Sequence, residues 1–211
     1  MELDDALTTT RTVRKRLDVD RPVERSVVEE CLELALQAPN GSNQQRWRWV
    51  LIDDAEIRAE ASAIYRRGLD GYVGTNTADY DMTNDDVVRI SDSVMYLREN
   101  LHRVPVLVVP LIAGQVERAD LFLQASLWGS VLPAVWSFLL ALRSRGLGSA
   151  WTTIHLHRQQ EMAELLGIPD TFTQVGLFPV AYTLGREFRP AKRRALHDVA
   201  AWNAFDHLGD A

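Results

Sequence analysis

Apolar positions recur along this chain with two different periods. In "VERSVVEECLELALQA", beginning at Val23, residues Val27, Cys31, Leu34 and Ala38 fall on one face at helical spacing. That spacing predicts an amphipathic helix, and Pro39 stops it. A short helix is expected over 3–10, a strand over Trp49–Asp53, a helix from Ala55 to about Gly68, and another from Val87 to His102. "VPVLVVPLIA", beginning at Val104, is apolar throughout. A run this short reads as a central strand covered on both faces. Asp120 can cap a long helix that runs to about Arg145, where Gly146 ends it. "SAWTTIHL" and "QVGLFPVAYTLG" predict two more strands, separated by a helix over Arg158–Leu166, and "HDVAAWNAF" a short terminal helix.

One stretch follows neither period. "GLDGYVGTNTADYDMTND", Gly68 to Asp85, is glycine-rich and polar. Such segments supply lids, so 68–85 is expected to be an excursion over a site. Helices separate single strands almost throughout, and no linker divides the chain. The expectation is one α+β domain over 1–211 with the sheet in the middle.

Composition changes the picture little. A chain of 211 residues with 46% hydrophobic and 25% charged residues can bury a sizeable core. A net charge of -6 gives no electrostatic case for nucleic acid. The single cysteine, Cys31, excludes an internal disulfide and lies in an apolar helical stretch, where core burial is expected. The N-terminal residues lack the apolar stretch of a signal peptide. Leu121 to Leu142 carries no charge and is long enough for a bilayer of about 30 Å. Gln124, Ser126, Ser130 and Ser137 lower its hydrophobicity, Pro133 interrupts it, and no second such segment exists. The expectation is therefore no membrane span but a buried helix of a cytoplasmic protein, covered by its own core and by a partner subunit.

Candidate chemistry concentrates in three places. "RTVRKR" sets Arg11 and Arg14 three apart. Two guanidinium forks can hold a phosphate dianion bidentately, with hydroxyls from Thr10 and Thr12 nearby; a solvated basic face is the plain alternative. In "APNGSNQQRWRW", amides fill a loop between a helix and a strand, which suits a flat ligand with a polar edge. In "RSRGLGSAWTT", Gly148 and Ser149 leave little side chain above the backbone, and Thr152 and Thr153 offer donors; a plain helix-to-strand turn explains the same residues. The five histidines are scattered, no carboxylate–histidine cluster has ligand spacing, and no G-x-S-x-G occurs. Gly68, Gly71 and Gly74 neither follow a strand nor open a helix, so they fit no dinucleotide or P-loop pattern.

In this order the pieces resemble the nitroreductase family of FMN-dependent oxidoreductases. The motifs are "RTVRKRL", "APNGSNQQRW", "GLGSAWTT", "LGIP", "LFPVAYTLG" and "KRRALHDV", and they cover nearly the whole chain. The strand "VPVLVVP" is most similar to the actinobacterial-type branch. The resemblance implies a nitroreductase-like fold, a mainly antiparallel sheet flanked by helices with the long helix at a homodimer interface. It implies bound FMN, with NADPH or NADH as co-substrate, and a hydride passed to a small nitroaromatic, quinone or similar electron-poor acceptor. No protein residue need act as acid or base. Arg11, Thr12, Arg14 and Arg193 would hold the phosphate end. Pro39, Asn40 and Asn43 would line the flavin, in part from the other subunit. Trp151, Thr152 and Thr153 would lie beside the ring. Arg46, Tyr72 and Tyr80 are the candidates for contact with the acceptor. Four positions depart from the family pattern: Arg46 for proline, Leu17 for an aromatic, Asn40 for serine and Ala181 for glycine. Thr10 stands where some members carry the first of two arginines. Two other readings stay open: a flavin-binding storage or sensing protein of the same fold, and a helical interaction protein that uses Leu121–Leu142.

Overall fold

We analysed a computed structural model that describes residues 1–76 and 83–205. Its centre is β2 (Val106–Ala113), which is buried on both faces. Successive side chains point to opposite faces of a strand. Val106, Val108 and Ile112 therefore enter one apolar cluster, and Leu107, Val109 and Leu111 enter the other. The first cluster is closed by α2 (Arg25–Ala35) and α5 (Leu121–Ser144). The second is closed by α3 (Ala55–Asn76), α4 (Asp85–Asn100) and α6 (Gln159–Leu166). A short α1 (Leu3–Thr9) precedes them. The result is a sheet between two helical layers.

The sheet is antiparallel in every named strand pair. β1 (Trp47–Ile52) pairs with β2, β2 with β5 (Phe178–Tyr182), and β5 with β3 (Leu147–Ser149). β4 (Phe172–Gln174) pairs with the far end of β2. The single long strand expected over 174–185 is thus two strands with a break at Val175–Leu177. Pro110 of β2 explains the break. Its carbonyl accepts from the Val175 N–H at 2.9 Å, so its missing N–H lies on the same edge and the ladder cannot continue. Leu177 turns instead to Thr152, exchanging bonds at 2.8 and 3.2 Å. That exchange also ends the strand expected over 149–156. Only Leu147–Ser149 is strand, and a 3₁₀ segment follows at Ile154–Arg158.

Helix α3 does not stop near Gly68. It runs to Asn76, so residues 68–76 of the expected excursion are helical. Leu69 is buried in the core. A Cβ on Gly68 would meet the Ile154 carbonyl oxygen at 2.5 Å, so that glycine serves close packing and not hinge freedom. The terminal helix is also shorter than expected, a single 3₁₀ turn at Leu196–Asp198.

Helix α5 is capped by Asp120, whose carboxylate accepts from the Leu123 N–H at 2.8 Å. Leu127, Val131, Val135, Phe138 and Leu142 bury one face. Length and composition alone would let this helix cross a membrane. The opposite face leaves Leu121 and Phe122 each 82% exposed and Trp136 39% exposed. Burial on all sides is therefore not reached within one chain. Cys31 is buried as expected, and desolvation pushes its thiol pKa up to about 11.

Candidate functional site

The segment before α2 has no sheet partner of its own and is stitched onto the sheet's edge. Thr12 bridges Ser149, Leu17 bridges Thr183, and the Val13 N–H donates to the Ser149 carbonyl at 2.8 Å. Val13 and Leu17 are the buried anchors. Leucine fills the place of the family's aromatic here without leaving the core. With those two residues inside, Arg14, Lys15 and Arg16 turn outward into a cavity of about 1050 Å³.

That cavity is the most basic place among the described residues. Nine of its lining residues are arginine or lysine and one, Glu187, is acidic, although the chain carries a net charge of -6. Such a concentration focuses field and favours an anion. Two of the nine are paired outside: Lys15 with Asp92, and Arg89 with Asp86 at 2.9 Å. Arg14 is not. One of its Nη groups donates to Ser93 Oγ at 3.1 Å, while its Nε is buried without a partner. Burial holds its pKa below the usual arginine value, and Tyr65 works weakly the other way. Ser149 Oγ is also buried without a partner, and the Thr12 hydroxyl has none among the described residues. Unsatisfied buried donors cost free energy unless something fills them. The site therefore fits a phosphate-bearing ligand by donor type and by size.

The roof of the cavity is the segment from Glu187 to Arg193. Arg16 fastens it, donating to the Leu184 and Glu187 carbonyls at 2.9 and 3.0 Å. Arg11 donates to the Arg189 carbonyl at 3.4 Å.

Of the residues expected from the sequence, the cavity brings together Arg11, Thr12, Arg14, Trp151 and Arg193. Trp151 stands at one wall with its ring 5.3 Å from Phe178. Thr152 is buried, and both its hydroxyl and its N–H donate to the Leu177 carbonyl. It has no donor left for a ligand. Thr153 is exposed and keeps its hydroxyl. Gly148 is not a platform for a flat ligand, because a Cβ there would meet Thr183 Cγ2 at 2.6 Å and Val13 Cβ at 3.1 Å. It lets the N-terminal segment lie against the sheet.

Pro39, Asn40, Asn43 and Arg46 lie elsewhere. Their loop packs on the first half of α5, where the Gly41 N–H donates to Ser130 Oγ at 2.9 Å. Asn40 Oδ1 closes the loop by accepting from the Gln45 N–H at 2.9 Å. Ser42, Asn43 and Gln45 all have φ near +50°. Non-glycine residues held there carry strain, a feature that clusters at functional sites. The cavity borders α5 from Trp136 to Arg143, and Trp136 is six residues, or about 9 Å of helix, beyond Ser130. Tyr72 is half-buried, with its ring 5.7 Å from His157. Tyr80 lies outside the described residues. The sequence reading missed Arg143, Arg89 and Ser93 as cavity residues and named Ser149 only for its small side chain. The first three sit on helices as ordinary polar positions, and only packing reveals that they converge.

Among the described residues no three histidine, cysteine, aspartate or glutamate side chains are placed to hold a metal ion. An antiparallel sheet between helical layers, with a basic cavity at one edge, defines the class as α+β. The nitroreductase family model matches residues 7–182, and the chain belongs to that family, whose members are flavin oxidoreductases. Solved structures share the fold. Iodotyrosine deiodinase bound to FMN and 3-iodo-L-tyrosine is 20% identical, with a TM-score of 0.74 over 97% of this chain and 100% of that one. A BluB-like flavoprotein from Clostridium difficile 630 is 16% identical, with a TM-score of 0.72 over the same shares. The FMN and NADPH-dependent nitroreductase NfnB from Sphigopyxis sp. strain HMH is 18% identical, with a TM-score of 0.71, again over 97% and 100%.

Proposed function

We propose that this protein is an FMN-dependent oxidoreductase that works as a homodimer with NADPH or NADH as reductant. Its acceptor is a small electron-poor molecule such as a nitroaromatic, a quinone or a halogenated phenol. The observation that carries this reading is the basic cavity with the unpartnered Arg14 Nε and Ser149 Oγ. A phosphate monoester at the end of a flat cofactor would satisfy both. FMN, when bound, would supply reversible two-electron chemistry, and the protein would position it.

Arg11, Thr12, Arg14 and Arg193 would hold the phosphate. Trp151 would stand beside the ring system, and Thr153 would offer the donor that Thr152 cannot. Pro39, Asn40 and Asn43 do not line the cavity of their own chain. A two-fold arrangement about the exposed face of α5 would bring the loop of one copy to the cavity of the other. Leu121, Phe122 and Trp136 on that face are the support for a dimer. Arg46, beside the loop and exposed, is then the candidate contact for the acceptor.

The test is the visible spectrum of the purified protein, followed by anaerobic addition of NADPH and then NADH. The expected result is a flavin spectrum that one of the two bleaches. A colourless protein that takes up no added FMN would overturn the cofactor. A yellow protein that neither nicotinamide bleaches would leave flavin binding and remove this donor.

A further inference from the structure

Arg143, in the last turn of α5, borders the basic cavity. One Nη donates to the Arg186 carbonyl at 3.1 Å and to Thr9 Oγ1 at 3.4 Å. Its Nε is buried with no partner. Among the described residues Arg143 forms no ion pair. The nearest charge acting against it is another guanidinium: Arg16 and Arg143 approach the ring of Phe188 at 4.1 and 4.6 Å. Burial and then Arg16 hold the pKa of Arg143 below its usual value, and Asp5 only partly offsets them.

A cation in the last helical turn suits the helix dipole, and its contacts with Arg186 and Phe188 help hold the tail. Those roles account for one Nη and the face of the guanidinium. They leave a buried Nε without a partner and a repulsion from Arg16 that Asp5 only partly offsets. An anion would relieve both. Thr10 adds no donor here, since its hydroxyl is spent on the Ala6 carbonyl at 2.6 Å. Arg143 reaches the neighbouring Thr9 from the other side.

We propose that Arg143 is a phosphate ligand of this cavity, supplying a cation from the end of the central helix. The proposal rests on the reading of the cavity as the FMN phosphate site. Because the same guanidinium holds the Arg186 carbonyl, filling the cavity would also steady the tail segment over it.

The experiment is fluorescence titration of the flavin-free protein with FMN and with riboflavin, which lacks the phosphate. Arg143→Gln should weaken FMN about 10- to 100-fold, the loss expected for one charge-assisted contact, and leave riboflavin within about twofold. Arg143→Lys, which keeps the charge without the fork, should fall between. Inorganic phosphate should raise the melting temperature of the wild-type protein and raise it less in Arg143→Gln. Equal losses for both flavins, or no loss for either, would overturn the proposal and leave Arg143 as a tail clamp. If wild-type protein binds FMN no tighter than riboflavin, the phosphate reading of the cavity fails first and takes Arg143 with it. Should Arg143→Gln not fold, Arg143→Lys decides: a several-fold loss confined to FMN supports the assignment, and unchanged FMN affinity overturns it.

Discussion

The two ends of α5 serve two different surfaces. At the C-terminal end a single chain builds a complete cavity, roofed by its own tail and lined by nine cations. At the N-terminal end the amide loop is strained at Ser42, Asn43 and Gln45, pinned to Ser130, and open on its other side. The first surface is closed within one chain and the second is not. The difference teaches that a charged pocket can close within one chain from segments far apart in sequence, whereas a loop whose polar residues face outward stays open.

The comparison breaks most readily at the exposed face of α5. Phe122→Asp should abolish dimerisation in sedimentation runs and with it most flavin affinity, while far-ultraviolet circular dichroism stays that of a folded protein. A folded wild-type monomer at micromolar concentration would mean that the loop never meets a second cavity.

A second prediction tests the core beneath both surfaces. His155 is fully buried, with Nε2 3.2 Å from Gln174 Oε1 and no partner for Nδ1. Gln174 is itself held by donating to the Gln159 carbonyl at 2.8 Å. Desolvation lowers the pKa of His155 from 6.5 to about 4, against a smaller raising effect of Gln174. The unfolded chain therefore binds a proton that the folded one refuses. Stability should be whole above pH 6.5 and fall as the pH drops from there to about 4. The loss should be about 3 kcal/mol. Urea unfolding across that range should show the slope in wild type and lose most of it in His155→Leu.

The two ends should also respond differently to single substitutions. Arg14→Ala should cost FMN about 1.5–3 kcal/mol of binding and leave riboflavin nearly unchanged. Ser130→Ala strands the Gly41 N–H and should cost about 1 kcal/mol of stability. Because it disturbs the loop and not the cavity, it should weaken FMN and riboflavin alike. If Ser130→Ala discriminates between the two flavins, the two ends are not independent.

A helical period marked α2, although the face it buries is Val28, Cys31 and Ala35 and Leu34 of the expected face is exposed, while uncharged composition marked α5 and the doubly covered β2. The arginine pair was legible from residue type and spacing, and Trp151 and Arg193 only through the family resemblance. The break at Val175–Leu177 was not legible. It depends on Pro110, more than sixty residues away, facing that edge. Nor did the sequence show that α3 continues to Asn76, because Gly68 looks like a breaker until Ile154 is packed against it.

What the sequence determined by itself, then, was the order of the elements, the apolar faces and the motif order of the family, all of which are local in the chain. Only the tertiary structure decided which charges share a cavity. Arg143 and Ser93 lie on different helices, and nothing in their own neighbourhoods marks them. Thr152 shows the converse: a donor in sequence, it is spent on Leu177 once the strands meet. Partners for polar groups are set by packing across long sequence distances, and that is information no single stretch of chain contains.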